Sequence, residues 1–287
     1  MSRPTAQVWL VDLDDGEATT RARALLPAAE VNRLSTVPPR HRGQRMGAQA
    51  ALRALVAEAI GSTPLLVRLE RGPGGKPRVA GGSGPHVSLA HSGRFAAVAL
   101  TAAGPVGVDV EQPHRVSSDL AGLARTALSD REYGRWRRLS GPAALEALFR
   151  SWTHKEAVLK ALGVGLSGDL RAVSTRPGKN GETVLETVPE GGRPPGQWTL
   201  HDLFDGWRLP AAVAVAAPQV EVSVHRTLLA DLLPARRPHA YPARHPSAHQ
   251  PARESAHGTA RQPGPVRHPA GTSATHRPPH SRKGRTG

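Results

Sequence analysis

From Pro234 to its end the chain has almost no bulky apolar residue, so any core has to be built from residues 1–233. The last stretch carries ten Lys or Arg against one acid, Glu254, together with seven of the fourteen histidines and ten of the twenty-seven prolines. Such a segment cannot bury enough apolar surface to offset the entropy of ordering it, and residues 234–287 are expected to form a disordered basic tail. Its histidines are irregularly spaced, without the pairing of a zinc site. The tail holds +9 of the net charge of +15, which leaves residues 1–233 at about +6. A charge placed this way argues against a nucleic-acid-binding domain, although non-specific contact of the tail with a polyanion stays open.

Cysteine is absent, which excludes disulfides, cysteine–zinc sites and a thiol nucleophile. The N-terminus offers no apolar signal core, and no run approaches the roughly 20 apolar residues of a membrane span. A cytoplasmic monomer with no membrane partner is expected.

Strand and helix patterns alternate through the rest. Val8–Leu13 is a short apolar strand, and Ala48–Ile60 has helical spacing and stops at Gly61. A Gly-rich turn, Gly72 to Pro77, leads into three strand-like runs, His86–Ala90, Phe95–Thr101 and Val106–Glu111. Pro142–Leu162 is strongly helical and stops at Gly163. Trp198–Leu203 and Trp207–Val215 then flank Asp205-Gly206, a hairpin signal. A glycine-terminated helix near strand-rich sequence in each half predicts an α+β fold of two pseudo-symmetric lobes, each a small antiparallel sheet packed with a long helix. The expected boundaries are 1–104, 105–233 and the tail.

Four groups of residues can carry chemistry. In Gly107-Val108-Asp109-Val110-Glu111, strand alternation points the valines one way and the two acids the other. The carboxylates then lie about 7 Å apart, within reach of one hard cation. Two solvated acids on a half-buried strand are the alternative. In the helix, at about 100° per residue, Leu145, Phe149, Trp152 and Leu159 share one stripe and Glu156 falls inside it. A carboxylate aimed at a core is costly without a cation to meet it, so Glu156 is a site candidate. Lys160 follows one turn later, at the spacing of an ordinary i,i+4 pair. His91 ends the strand Val87-Ser88-Leu89-Ala90 beside Ser92-Gly93, where it can donate to a phosphate oxygen or simply be exposed. Lys76 rises from a rigid turn, and Arg40, Arg42, Arg45 and Arg53 cluster before and along the first long helix. Such cations suit phosphates, arginine bidentately, and are otherwise solvated surface charge. Acids for a metal, a helical Glu–Lys pair, a histidine and upstream cations together describe a magnesium–pyrophosphate site.

In this order the motifs resemble the phosphopantetheinyl transferase superfamily, specifically its larger two-lobed, surfactin-synthetase-activator type. The likeness rests on Lys76-Pro77 with Val87–Gly93, on Gly107–Glu111, and on Trp152-Thr153-His154-Lys155-Glu156-Ala157 with Lys160, running on to Gly163-Val164-Gly165-Leu166. It covers residues 6–220. The resemblance implies that Asp109, Glu111 and Glu156 hold Mg2+ against the pyrophosphate of coenzyme A. It implies that Glu156 takes the proton of a carrier-protein serine and that Lys160 steadies the phosphates. His91 would touch a phosphate, and Lys76 with Arg45 would hold the 3'-phosphoadenosine end, Arg42 being the rival to Arg45. Glu132 stands where relatives often have a glutamate. The stretch Ser88-Leu89-Ala90-His91-Ser92 departs from the family pattern, with Ala90 in place of a serine, so one phosphate hydrogen bond is missing or supplied elsewhere. The implied reaction moves phosphopantetheine from coenzyme A to a serine of an acyl or peptidyl carrier protein and releases adenosine 3',5'-bisphosphate. Another magnesium-dependent enzyme acting on a pyrophosphate, or a basic nucleic-acid-binding protein, are the alternatives.

Overall fold

The structure is a computed structural model, which describes residues 3–113, 119–165, 168–203 and 209–234. In chain order its elements are β1 (Thr5–Asp12), α1 (Gly16–Ala22), α2 (Ala28–Ser35), α3 (Pro39–Ala59), β2 (Leu69–Arg71), β3 (Pro77–Val79), β4 (His86–Ser92), β5 (Phe95–Thr101) and β6 (Val106–Val110). They continue with α4 (Leu120–Ala127), α5 (Asp130–Trp136), α6 (Gly141–Leu162), β7 (Ser174–Pro177), β8 (Thr183–Thr187), β9 (Thr199–Asp202), β10 (Ala211–Val215) and β11 (Glu221–Leu228).

The fold is α+β. One sheet has the order β11-β1-β5-β4 and the second the order β6-β10-β9, with two small hairpins, β2-β3 and β7-β8. Strand alternation explains the layering. Val87, Val98 and Leu100 of the first sheet pack against Leu52, Leu55 and Val56 of α3. Residues one step along, Val8, Leu10, Ala97 and Ala99, turn to the other face and meet Val106, Val108, Val110, Val213 and Val215 of the second sheet. The far side of that sheet presents Ala212 and Ala214 to Ala157, Val158 and Ala161 of α6. The layers therefore run α3, first sheet, second sheet, α6.

Several sequence expectations shift at the edges. The first long helix begins at Pro39, nine residues before the spacing signalled it. Arginines on its first turns break the apolar periodicity, and a proline at its start supplies the preset φ of a helix N-terminus. β6 pairs not with its sequence neighbour β5 but with β10, Val108 opposite Val213. The first sheet is antiparallel from β1 through β4, but its fourth member, β11, runs parallel to β1 with Thr5 opposite Glu221. The chain thus returns after β10 to finish the first sheet. By internal contacts, Met1–Arg236 forms one unit. The tail expected from Pro234 and the Asp205-Gly206 turn lie outside the described residues, apart from Pro234 itself. Among the described residues no helix is long and apolar enough to cross a membrane.

The helix α6 is held in place by buried polar contacts. Gly163 closes it at φ 80°, its N–H donating to Leu159 O. Lys155, wholly buried, donates to Ala127 O and Leu170 O and pairs with Glu132 at 2.6 Å. Glu132 in turn accepts from the backbone N–H of Ser129 and Thr175. Burial pushes the Glu132 carboxyl up, but Lys155 and those N–H groups outweigh it and hold it low. On the outer side Arg150 and His154 both reach Asp202 of β9. Glu132 is thus part of the scaffold behind α6.

Candidate functional site

The site lies where α6 crosses β6, and a missing side chain permits the crossing. A Cβ on Gly107 would sit 1.9 Å from Ala157 O and 2.5 Å from Ala161 N, so only glycine lets the helix backbone rest on the strand. Two residues along the same face of β6 is Asp109, and the helix lays Glu156 and Lys160 beside it.

Asp109 is 3% exposed; its Oδ1 accepts from Lys160 Nζ at 2.5 Å. Its other oxygen, Oδ2, is buried and has no hydrogen-bond partner, and the same is true of Glu156 Oε2. Burial raises the Asp109 carboxyl, with Lys160 pulling the other way. Glu156 is raised by burial and then by repulsion from Asp109. Glu111, just past the end of β6, is pushed up to about 7 by burial and by Asp109, while the Ser92 hydroxyl, donating to Oε2 at 2.8 Å, works against that shift. Burial pulls Lys160 down, but Asp109, Glu156 and Glu111 together carry it above its ordinary value. Each of these groups feels the others, so the three acids and Lys160 form one electrostatic cluster.

The cluster is not a finished metal shell. Among the described residues no three Asp, Glu or His side chains converge tightly enough to hold an ion. The Lys160 ammonium occupies one oxygen of Asp109, and Ser92 occupies one of Glu111. One oxygen each on Asp109 and Glu156 is buried and without a hydrogen-bond partner. Buried, hard and anionic, these two oxygens are the kind of donor a divalent cation with a partial water shell accepts.

A cavity of about 380 Å³ opens nearby, lined by Arg33, Arg45 and Arg71, by His91 and Leu89 of β4, and by Gln49 with smaller and apolar residues of α2, α3 and the link between them. Its histidine stands at the end of β4, open to solvent as a residue, with its ring crowded by Arg45, Lys160 and His41. Burial of the ring against neighbouring groups, followed by Arg45, Lys160 and His41, drives His91 down to about 4. At neutral pH it is a neutral donor rather than a cation. Arg71 donates to Gly75 O at 3.0 Å; burial and then Arg33 lower its guanidinium, with Glu30 working the other way. Arg33 is paired with Glu30 at 3.1 Å, and Arg45 and Arg71 add cationic charge to the wall, which suits a polyanion.

The arginines expected from sequence separate cleanly. Arg45 lines the cavity. Arg42 donates instead to Ser35 O and Val37 O, and Arg53 is buried against Glu30 at 2.7 Å and the carbonyls of Pro64 and Val67. Lys76 departs from expectation more sharply. Its Nζ donates to Val106 O, Lys160 O and Ala161 O at 2.7–2.8 Å, which uses all three ammonium protons and leaves none for the adenosine end of a coenzyme. Sequence reasoning missed Arg71 and Ser92. Arg71 stands five residues before Lys76 with nothing local to mark it. Ser92 was read as part of a turn, although its hydroxyl also accepts from Gln112 N–H and so binds the end of β4 to the segment after β6. Ala90 is buried in the core between the sheets, opposite Ala97 of β5. A second cavity of about 450 Å³ lies on the other side of α6, between α5 and β7, and touches none of the predicted residues except Glu132.

Fold and site together define an α+β protein with a buried carboxylate cluster beside an arginine-lined cavity. A family model described as the 4'-phosphopantetheinyl transferase superfamily matches residues 105–214, the stretch that runs from before β6 to near the end of β10. The 4'-phosphopantetheinyl transferase HetI of Nostoc sp. is 31% identical over 218 residues, 73% of this chain and 86% of that protein. The 4'-phosphopantetheinyl transferase Sfp of Bacillus subtilis is 27% identical over 159 residues, 55% of this chain and 67% of its own. A solved holo-(acyl-carrier-protein) synthase from Bacillus anthracis, in complex with CoA (3',5'-ADP), covers 38% of this chain and 90% of its own at 21% identity and a TM-score of 0.31. The breadth and identity of the HetI match show that this chain belongs to the 4'-phosphopantetheinyl transferase superfamily and is an enzyme of that family.

Proposed function

We propose that the enzyme transfers the phosphopantetheine arm of coenzyme A to a serine of an acyl or peptidyl carrier protein, uses Mg2+, and releases adenosine 3',5'-bisphosphate. The observation that carries this reading is the pair of unpartnered buried oxygens, Asp109 Oδ2 and Glu156 Oε2, set next to Lys160. The arginine-lined cavity supports it from the coenzyme side. Asp109, Glu111 and Glu156 would hold the ion. When bound, Mg2+ supplies charge neutralisation for the pyrophosphate.

In this reading the two lobes divide the work, residues 1–104 holding the nucleotide end and residues 105–233 the reacting end. Arg45 and Arg71 take the phosphates of the adenosine end, with His91 donating one neutral N–H. Lys160 keeps Asp109 Oδ1 with one ammonium donor and meets the phosphate oxygens with the others. The serine Oγ forms a bond to the β-phosphorus while the bond from that phosphorus to the bridging oxygen breaks, and the bridging oxygen leaves with the nucleotide. The serine proton passes to Glu156, whose raised affinity for protons suits a general base. Phosphoryl transfer of this kind needs alignment and charge neutralisation above all, and a preformed cluster on two rigid elements supplies both.

Carrier proteins are commonly acidic, and the excess of about +6 on residues 1–233 favours their encounter. The proposed setting is the cytoplasm and the proposed form a monomer. The test is incubation of the full chain with apo carrier proteins, coenzyme A and Mg2+, read by mass spectrometry of the carrier. The expected result is a gain of one phosphopantetheine group that disappears with EDTA. Carriers of several types that all stay apo would remove the proposal.

A further inference from the structure

Lys76 sits where a flexible cation should serve a ligand, yet it is fastened to backbone. Two of its acceptors, Lys160 O and Ala161 O, are among the last carbonyls of α6, at its negative end, and Lys160 O accepts the Gly163 N–H as well, at 3.2 Å. The third, Val106 O, is at the first residue of β6. One ammonium from the first-lobe hairpin therefore joins the end of the helix that bears Lys160 to the start of the strand that bears Asp109. Those two residues form the ion pair at the centre of the cluster.

The backbone around this contact is shaped for it. A Cβ on Gly74 would stand 2.5 Å from Gly163 O and 2.8 Å from Val164 C, and one on Gly165 would stand 2.7 Å from Gly74 O. The β2-β3 turn and the segment after α6 thus touch backbone to backbone, at glycines with φ of 63° and 62°. Such an approach brings the hairpin close enough for Lys76 to reach three carbonyls at once. Although burial and then Arg78 pull Lys76 down to about 8, it stays mostly protonated at neutral pH and keeps three donors.

We infer that Lys76 is a positioning residue of the transfer reaction: it fixes Lys160 against Asp109 through the carbonyls at the end of α6 and the start of β6, and does not bind the coenzyme. This rests on the function proposed above. A side chain that only stabilised the fold would change the folded fraction, whereas one that sets the register of Lys160 changes turnover per folded molecule.

The experiment uses the full chain as wild type, Lys76→Met, Lys76→Gln and Arg45→Ala. It measures kcat and KM for coenzyme A, coenzyme affinity by calorimetry without carrier, thermal melting, and hydrogen exchange at the Gly163 and Val164 amides. The expected result for Lys76→Met is a kcat at least about tenfold lower per folded molecule, with KM and Kd for coenzyme A within about twofold. Exchange at the two amides should speed up. Lys76→Gln, which keeps two N–H donors, should recover part of kcat. Arg45→Ala should do the reverse, weakening coenzyme binding more than turnover. A Lys76→Met protein that binds coenzyme about tenfold more weakly at normal kcat makes Lys76 a ligand and overturns the inference. Lower melting temperature with unchanged kcat per folded molecule overturns it too, leaving only a structural role. If Lys76→Met does not fold, Lys76→Gln decides by the same split. A wild type that transfers nothing to any apo carrier is a different failure, that of the reaction itself, and it shows because Arg45→Ala and wild type are then equally silent.

Discussion

Replacing Gly107 by alanine is the smallest change that tests how α6 and β6 build the site. The added Cβ would lie 1.9 Å from Ala157 O, 2.5 Å from Ala161 N and 2.9 Å from Ala157 C, and all three are backbone atoms that no rotamer change can move. Cβ atoms are essentially never found under 3.0 Å from such neighbours, so helix and strand have to part by about 1.1 Å. Overpacking of a core costs about 1–3 kcal/mol. For a unit that spans Met1–Arg236, each kcal/mol lowers Tm by about 2–4 °C, so the expected fall is about 2–12 °C. Turnover should suffer more than stability. Asp109 is on β6, Glu156 and Lys160 are on α6, and a misplacement of about 1 Å between reacting groups can cost about a hundredfold in rate. The assay pairs urea or thermal unfolding with single-turnover transfer by the folded fraction. A Gly107→Ala protein with wild-type Tm and wild-type transfer would refute the claim that this close approach sets the site.

Further substitutions probe the chemistry separately. Asp109→Asn and Glu156→Gln keep shape and remove charge; each should lower turnover at least about a hundredfold, near 2.7 kcal/mol of barrier, and near-normal rates in both would eliminate the proposed ion site. For Glu111, burial and Asp109 move the carboxyl from 4.5 to about 7 in the fold, so between those values the folded chain holds a proton that the unfolded chain has lost. Stability without divalent ions should therefore fall as pH rises through that window, and Glu111→Gln should flatten the melting temperature across pH 5–8. Added Mg2+ at pH 7.5 should raise the wild-type Tm more than that of Glu111→Gln. Arg71→Ala should raise KM for coenzyme A about tenfold or more, whereas Arg42→Ala, whose guanidinium is bound to Ser35 O and Val37 O, should leave that KM unchanged and lower Tm.

How far the sequence exposed the site depended on whether a residue's task was local. Glu156 was visible because a helix has a fixed angular period, and a carboxylate within an apolar stripe violates it. Asp109 was visible for the corresponding reason in a strand. The partner strand of β6 was not legible, since β5 is adjacent in sequence and nothing short-range signals a pairing with β10. The return of β11 to β1, across more than two hundred residues, is likewise set by the shape of the first sheet's open edge. Arg71 and Ser92 acquire their roles only when α2, α3, β4 and the end of β6 meet in space.

Lys76 shows the deeper limit. Sequence gave it a lysine's usual use, a charge on a turn for a phosphate, because side-chain chemistry is readable residue by residue. Its partners are three main-chain carbonyls, which every residue has and no pattern marks. Backbone acceptors become distinctive only at a helix end, where the i+4 donors of the helix run out, and only if another segment comes within reach. The glycines at 74 and 165 are the legible half of that condition, as positions where two backbones can touch; which backbones they are is decided by the tertiary fold. A lysine beside a glycine-rich turn therefore has two readings, ligand or clamp, and the one that holds depends on whether the neighbouring chain offers it a phosphate or the last turn of a helix.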